Sequence, residues 1–387
     1  MDDGRDDRDY LTADSEPQSG ADLVHPYMGM FGEGPAAEEG MQALAGEPLT
    51  YGARLFETNI AKADDGDVER AKAAGFLMVG KSNTPEFGLL PTTESVLFGD
   101  ARNPWDTDYH TGGSSGGAAA AVAAGLVPCA NAGDGGGSIR IPASVCGLVG
   151  LKASRGRLYG EMPSSLPVSL SVRMGVSRSV RDTAQLLNIG ELKGDTAPLP
   201  AAGFVDGPST RRLKIAFYTE TGIGIDASPE VKASLEQTAQ LCRDLGHEVI
   251  ASAPPFDARA MEEHFMSLWS FITVRIVNNA RMIGLRQGRW IGRERGLEPW
   301  TIGLTEYFER REKENPGQLE RAAAFFVVPL GLAWGALGLW LGARQRDLAR
   351  RTDKLEDGDA HRVAEIEADA LGRCGKRFAV ARSARFQ

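Results

Sequence analysis

The sequence predicts an α/β protein in which a mixed β-sheet core is sandwiched between helices. Short apolar segments typical of buried strands alternate along the chain with longer segments of helical character, which is the order expected of such a sheet. The composition agrees, because 387 residues with 42% hydrophobic and 25% charged residues are typical of a globular protein.

The chain is expected to contain three segments. Residues 1–45 are acidic, rich in glycine and proline and without apolar periodicity, so we interpret them as disordered or as translated out of frame. Residues 46–325 are expected to form the α/β domain, and residues 326–387 a divergent C-terminal segment. The charge of −9 is concentrated in the first 48 residues, and the remainder is close to neutral. The domain therefore lacks the basic stripe that a nucleic-acid partner requires.

The first half of the domain reads as alternating helices and strands. A helix in "DVERAKAAG" is expected to end at Gly75, and a short buried strand at 76–79 follows it. The small-residue segment 116–125 predicts a second helix, and 126–132 predicts a buried strand that runs directly into a glycine-rich loop. A helix with such a return strand can bring its two flanking loops together.

The second half repeats the pattern. Residues 211–220 predict a strand, and residues 247–251 another. Between them we expect a helix with Ser228 as its N-cap and Pro229 at its first position. Further on, residues 322–343 carry no charged side chain. A buried element is favoured over a membrane span there, because one proline and four glycines interrupt the segment.

The cysteines indicate neither a disulfide framework nor a metal site. The four of them are scattered and form no CxxC pair, namely Cys129, Cys146, Cys242 and Cys374. This pattern is typical of a protein of the reducing cytoplasm. We expect no metal and no other cofactor.

The segment "DGGGSIRIPAS" at 134–144 points to nucleophilic catalysis. Such chemistry needs a hydroxyl nucleophile and backbone N–H donors for the developing oxyanion. Ser138 supplies the first. The glycines before it leave the amides accessible, and these candidate donors are Gly135, Gly136 and Gly137. Asp134 and Arg140 are expected to brace the loop, although a plain flexible turn remains the alternative.

A second glycine-serine loop, "GGSSGG" at 112–117, places Ser114 24 residues before Ser138. Two serines delivered from two glycine loops are more specific than either loop alone. The same letters also fit a G-x-S-x-G nucleophile elbow centred on Ser114, but the elbow must follow a strand, and the preceding "NPWDTDYHT" is polar and predicts a poor one. A phosphate-binding loop is disfavoured because no GK[ST] follows the glycines.

Together these loops resemble the signature of the amidase signature family. The segment "VGKSNTPEFGLLPTTES" and "RNPWD" resemble its upstream text, and the resemblance is most specific from 79 to 157. It implies the amidase signature fold and hydrolysis of small-molecule amides by a Ser–cis-Ser–Lys triad. Measured against the family pattern, the fold of this chain is expected to be incomplete at both ends. Ser138 is then the nucleophile and Ser114 the bridging serine. Gly113 precedes Ser114 in a cis peptide bond, and Ser115 supports the site by hydrogen bonding.

The sequence departs from the family at the catalytic lysine. That lysine usually lies in a "GVPxxxKD" segment well upstream of "GKSN", whereas this chain has no lysine before Lys62. Lys62, Lys72 and Lys81 occupy other positions and are not assigned as the base. A catalytically inactive amidase-like protein, or a defective gene product, is therefore the alternative to an active enzyme. The one-base-shifted reading of the codons for "GEGPA" at 32–36 permits Ala-Lys-Asp-Leu, so a frameshift is one hypothesis for the loss.

The substrate and the oligomeric state stay open, with a homodimer among the alternatives. Four aromatic residues between 256 and 300 either line an apolar pocket or pack in an ordinary helix core. We favour packing in the core, because aromatic stripes of this kind more often belong to it. They are Phe265, Trp269, Phe271 and Trp290.

Overall fold

The computed structural model describes residues 29–33, 42–159, 170–194, 197–225, 227–254, 256–286 and 296–326. Most of the acidic segment 1–45, nearly all of the C-terminal segment 326–387 and Trp290 lie outside the described residues. No helix among the described residues is long and apolar enough to cross a membrane.

The described residues form eleven strands. In chain order they are β1 (Gly29–Glu33), β2 (Leu77–Ser82), β3 (Glu94–Ser95), β4 (Gly99–Asp100), β5 (Arg102–Asn103), β6 (Asp106–His110), β7 (Cys129–Asp134), β8 (Val149–Gly150), β9 (Val172–Ser177), β10 (Lys214–Phe217) and β11 (Glu248–Ala251). Strand β9 pairs antiparallel with β7 on one side and β8 on the other. Strand β1 pairs in parallel with β2 and also contacts β7, so parallel and antiparallel strand pairs lie next to each other in this part of the fold.

Seven α-helices accompany these strands. They are α1 (Gly66–Ala73), α2 (Gly116–Ala123), α3 (Arg140–Cys146), α4 (Val180–Gly190), α5 (Pro229–Asp244), α6 (Ala258–Arg286) and α7 (Pro299–Glu314). Helices α2 and α4 pack on the β7–β9 pair, and their small and branched side chains close the main core with Val122, Ala130 and Leu187. The predicted α/β fold is thereby confirmed.

Several element boundaries differ from the prediction. The strand expected at 76–79 runs from Leu77 to Ser82, and Leu77 and Val79 are exposed rather than buried. The strand expected at 126–132 begins at Cys129 and continues to Asp134, because each of its residues pairs with a residue of β9. The polar segment before the "GGSSGG" loop does form a strand, β6, contrary to expectation.

Strand β6 nevertheless does not supply the context of a nucleophile elbow. All five of its residues are exposed, and its ladder partner is the two-residue strand β5. The elbow requires a buried sheet strand that turns sharply into a helix. The structure thus corrects the predicted secondary structure but gives no support to Ser114 as an elbow nucleophile.

The second βα unit follows the sequence closely. Strands β10 and β11 pair in parallel, with α5 between them in the chain. The Ser228 side chain accepts a hydrogen bond from the Val231 amide, and Pro229 is the first residue of α5. Both features of this predicted helix start are confirmed.

The helix pair α6–α7 builds a second core against residues 49–61 and 87–89. Glu86 fixes this contact, because its carboxylate accepts hydrogen bonds from the Glu298 amide at 2.8 Å and the Thr301 hydroxyl at 2.5 Å. Glu298 is the N-cap residue of α7. A buried carboxylate therefore caps this helix and ties it to the loop after β2.

Replacing Glu86 by glutamine is expected to weaken the dependence of stability on pH. Burial raises the pKa of Glu86 from 4.5 to about 7, against the two hydrogen bonds that lower it. The folded chain therefore binds an extra proton between these values, and its free energy of unfolding falls as the pH rises through that window, by at most about 3 kcal/mol.

Urea unfolding near pH 5 and pH 8 measures this effect. In Glu86→Gln, most of the decrease in the free energy of unfolding between pH 5 and pH 8 should be lost. In Glu94→Gln, which changes an exposed carboxylate, the decrease should remain. An equal decline in wild type and Glu86→Gln would contradict the assignment.

Candidate active site

The glycine loop begins where β7 ends, at Asp134. The Asp134 side chain is fully buried and holds the loop together. Its Oδ1 accepts from the Gly137 amide at 2.7 Å, and its two oxygens accept from Arg140 Nε at 2.8 Å and Nη2 at 3.0 Å. The bidentate arrangement fixes the path of the chain past Ser138, which is 8% exposed. Asp134 and Arg140 thus make the bracing contacts that the sequence predicts.

Gly137 departs from the expected set of oxyanion donors. Its φ is +133°, and a Cβ there would lie 2.7 Å from Ile141 Cδ1, so the turn requires glycine. Its N–H is already bonded to Asp134 and is not free to meet an oxyanion. We therefore correct the expectation for Gly137, which shapes the loop. Gly135, Gly136 and the Ser138 amide remain the candidate donors.

The two glycine-serine loops lie side by side. The Ser115 amide lies 3.4 Å from the Ser138 carbonyl oxygen and donates to it, and Ser115 Oγ donates to the Gly133 carbonyl at 3.3 Å. The Gly113–Ser114 peptide bond is cis, as the resemblance implies. Ser114 and Ser115 are both almost fully buried. The fold therefore brings together the two loops that the sequence singled out, and Ser115 makes a supporting contact.

Two threonines that the sequence analysis did not single out hold Ser114 in place. The Thr84 and Thr93 hydroxyls each lie 3.2 Å from the Ser114 carbonyl oxygen. The Thr93 hydroxyl also accepts from the Gly116 amide at 3.1 Å. Both threonines belong to "VGKSNTPEFGLLPTTES", so this segment positions the cis-serine loop. The resemblance of this segment to the family's sequence pattern was the only sign in the sequence that it contributes to the site.

Two of the lysines that precede the glycine loops, Lys72 and Lys81, make polar contacts with other segments. Lys81 Nζ donates to the carbonyl oxygens of Pro48 at 2.6 Å and Gln42 at 3.3 Å. Burial lowers the pKa of Lys81 to about 8, while the Glu47 and Asp65 carboxylates act in the opposite direction. Lys72 pairs with Asp64 at 2.5 Å on the surface. These contacts tie Lys81 to the segment at 42–48 and Lys72 to Asp64.

The position of the family lysine falls at the edge of the described residues. Strand β1 lies within the segment where "GVPxxxKD" is expected, and it ends at Glu33. Residues 34–41, which follow directly, lie outside the described residues. Strand β1 contacts β7, which is the strand that leads into the glycine loop.

Neither of the two most deeply buried thiols competes with Ser138 as a nucleophile. Burial raises the pKa of Cys129 to about 12 and that of Cys146 to about 11, so both are protonated at neutral pH. Within the described residues, no group of three histidine, cysteine or carboxylate side chains could hold a metal ion.

Comparison with known proteins places this site in a family. The family model "Amidase" matches residues 42–311. The chain is 39% identical over 250 residues to a "Putative amidase" of Synechocystis sp., covering 63% of this chain and 48% of the relative. It is 39% identical over 280 residues to the "Putative amidase AmiC" of Mycobacterium leprae, covering 72% and 58%. The chain thus spans about half the length of these relatives.

A solved structure supports the same conclusion. The 6-aminohexanoate cyclic dimer hydrolase superposes with a TM-score of 0.65 at 28% identity, over 81% of this chain and 64% of that one. Residues 42–311, which the family model matches, contain both glycine-serine loops, the Asp134–Arg140 pair and the threonines around the cis bond. The chain belongs to the amidase family and has the amidase signature fold.

Proposed function

We propose that this chain carries the acyl-transfer centre of an amidase that hydrolyses the carbon–nitrogen bond of small-molecule amides. Ser138 is the nucleophile and Ser114 the proton relay. The observation that carries the proposal is the joining of the two loops, in which Ser115 bonds to the backbone at both ends of the glycine loop. Family membership supports the same reaction.

The reaction proceeds in two halves. Ser138 Oγ attacks the amide carbon, and its proton passes through Ser114 to the base, while the oxyanion is stabilised by the amides of Gly135, Gly136 and Ser138. The proton then returns through Ser114 to the leaving nitrogen, which departs as the amine. Water hydrolyses the resulting acyl-enzyme by the same route.

The base must be neutral to accept a proton, which burial favours for a lysine. We propose that such a lysine belongs at the end of β1, where the shifted codons permit Ala-Lys-Asp-Leu. The chain as written has glutamate at position 33. Its turnover is therefore expected to be low, and the catalytically inactive protein remains the second candidate, favoured by the absence of any lysine before Lys62.

Restoring the lysine tests this function. The four changes Gly32→Ala, Glu33→Lys, Gly34→Asp and Pro35→Leu should raise ammonia release from primary carboxamides by about 10³-fold or more, because loss of a catalytic base costs several orders of magnitude. The matched control carries Glu33→Met with the same three other changes and should stay at the low rate. Equal rates in the two variants would refute a lysine base at this position.

The remaining expectations stay predictions. They concern a cytoplasmic location, a homodimer and the absence of nucleic-acid and membrane partners. Sedimentation of the purified chain measures the oligomeric state directly.

A further inference from the structure

A stacked aromatic pair on α6 lies against the glycine loop. The rings of Phe265 and Trp269, one helical turn apart, have centroids 5.3 Å apart and an interplanar angle of 21°. A Cβ on Gly136 would lie 3.1 Å from Phe265 Cζ and 3.7 Å from Trp269 Cη2. The pair therefore touches the candidate oxyanion loop, although it comes from a helix more than 100 residues further along the chain.

The pair is held in a defined orientation. Trp269 is buried, and its Nε1 donates to the Leu89 carbonyl at 3.3 Å, which fixes the indole plane. Phe265 is only partly buried, and Gly136 is exposed. Part of the Phe265 side chain is therefore accessible at a position that contacts the loop, and its ring stacks on the fixed indole. Phe271, on the same helix, packs instead against Phe308 of α7, with ring centroids 5.2 Å apart.

We propose that the Phe265–Trp269 pair forms one wall of the acyl-binding site and selects amides whose acyl group is flat and apolar, such as aryl carboxamides. This rests on the proposed function, which places the substrate carbonyl oxygen at the glycine loop. The acyl group is bonded to the same carbonyl carbon and so lies beside the loop in both halves of the reaction. A flat ring there stacks on Phe265, whereas a short alkyl chain covers less of it.

Binding of simple amides to the full chain tests the proposal without requiring turnover. Benzamide should bind at least about tenfold more tightly than propanamide, by ligand-observed NMR titration or calorimetry. Phe265→Ala and the milder Phe265→Leu should each reduce this preference by about fivefold or more. Phe271→Ala removes an aromatic ring of the same helix that does not contact the loop, and it should leave the preference unchanged.

Other outcomes would overturn the proposal. The first is equal affinity for benzamide and propanamide, and the second is a preference for benzamide that survives Phe265→Leu. The third is tighter binding of acetanilide than of acetamide without any preference for benzamide over propanamide, which would place the aromatic pair on the leaving-group side. Failure of the proposed function is seen separately. Ser138→Ala should keep the preference for benzamide while losing hydrolysis, and a Ser138→Ala variant that still hydrolyses amides would refute the nucleophile without affecting the binding result.

Discussion

Replacing Ser138 by alanine is expected to abolish amide hydrolysis, with a fall in kcat/KM of about 10⁴-fold or more. The change removes the only atom that we assign to attack on the carbonyl carbon, while the loop keeps its bracing by Asp134 and Arg140. The measurement is ammonia release in the variant that carries Glu33→Lys with its three accompanying changes, where turnover is expected to be high enough to quantify so large a loss.

Ser144→Ala is the matched control for this variant. Ser144 lies six residues further on and is exposed on α3, so its loss should leave the rate within about twofold. Hydrolysis that persists in Ser138→Ala would show that another group attacks the carbonyl. The assignment of both loops would then have to be revised.

Replacing Glu191 by alanine is expected to destabilise the fold by about 3–5 kcal/mol. Glu191 is 1% exposed and pairs with Arg157 at 2.7 Å. Its carboxylate also accepts from the amides of Ala202 and Gly203 at 2.6 and 3.1 Å. Removing it leaves a buried guanidinium and two amides without this acceptor, so unfolding should require much less denaturant.

Urea unfolding of Glu191→Ala and Glu248→Ala provides the comparison. Glu248 pairs with Lys214 at 3.3 Å, but both side chains are more than half exposed. Its loss is expected to change stability by no more than about 0.5 kcal/mol. Similar losses in the two variants would mean that burial does not set the strength of the Arg157–Glu191 pair.

The elements with strong local signals were predicted well. The start of α5 at Ser228 and Pro229 depends on capping within a few residues, and α2 on a run of small residues, so both follow from local sequence. The prediction of a buried strand at 76–79 was wrong about burial. The exposure of its side chains depends on which other segments pack over the strand, and local sequence does not show this. Strand β6 was missed because its residues are polar, and it forms by pairing with β5.

The candidate site was partly predictable for the same reason. Ser138, Ser114 and their glycines stand in continuous motifs, and the Asp134–Arg140 contact spans six residues of one loop. The hydrogen bond from the Gly137 amide to Asp134 depends on the side-chain conformation of Asp134, which the sequence does not show. The contact of Phe265 with Gly136 joins segments far apart in the chain, so no local pattern could indicate it. The Ser114 carbonyl is held by Thr84 and Thr93, whose segment matches the family pattern, although the sequence alone did not indicate this particular contact.

The most direct test of the central claim is the location of a fluorophosphonate adduct on the folded chain. The reagent reacts with an activated serine hydroxyl, and peptide mass spectrometry identifies the modified residue. We predict one adduct, on Ser138, which forms faster in the variant that carries Glu33→Lys with its three accompanying changes. The absence of an adduct in both forms, or an adduct on Ser114 instead, would contradict the assignment of Ser138 as the nucleophile.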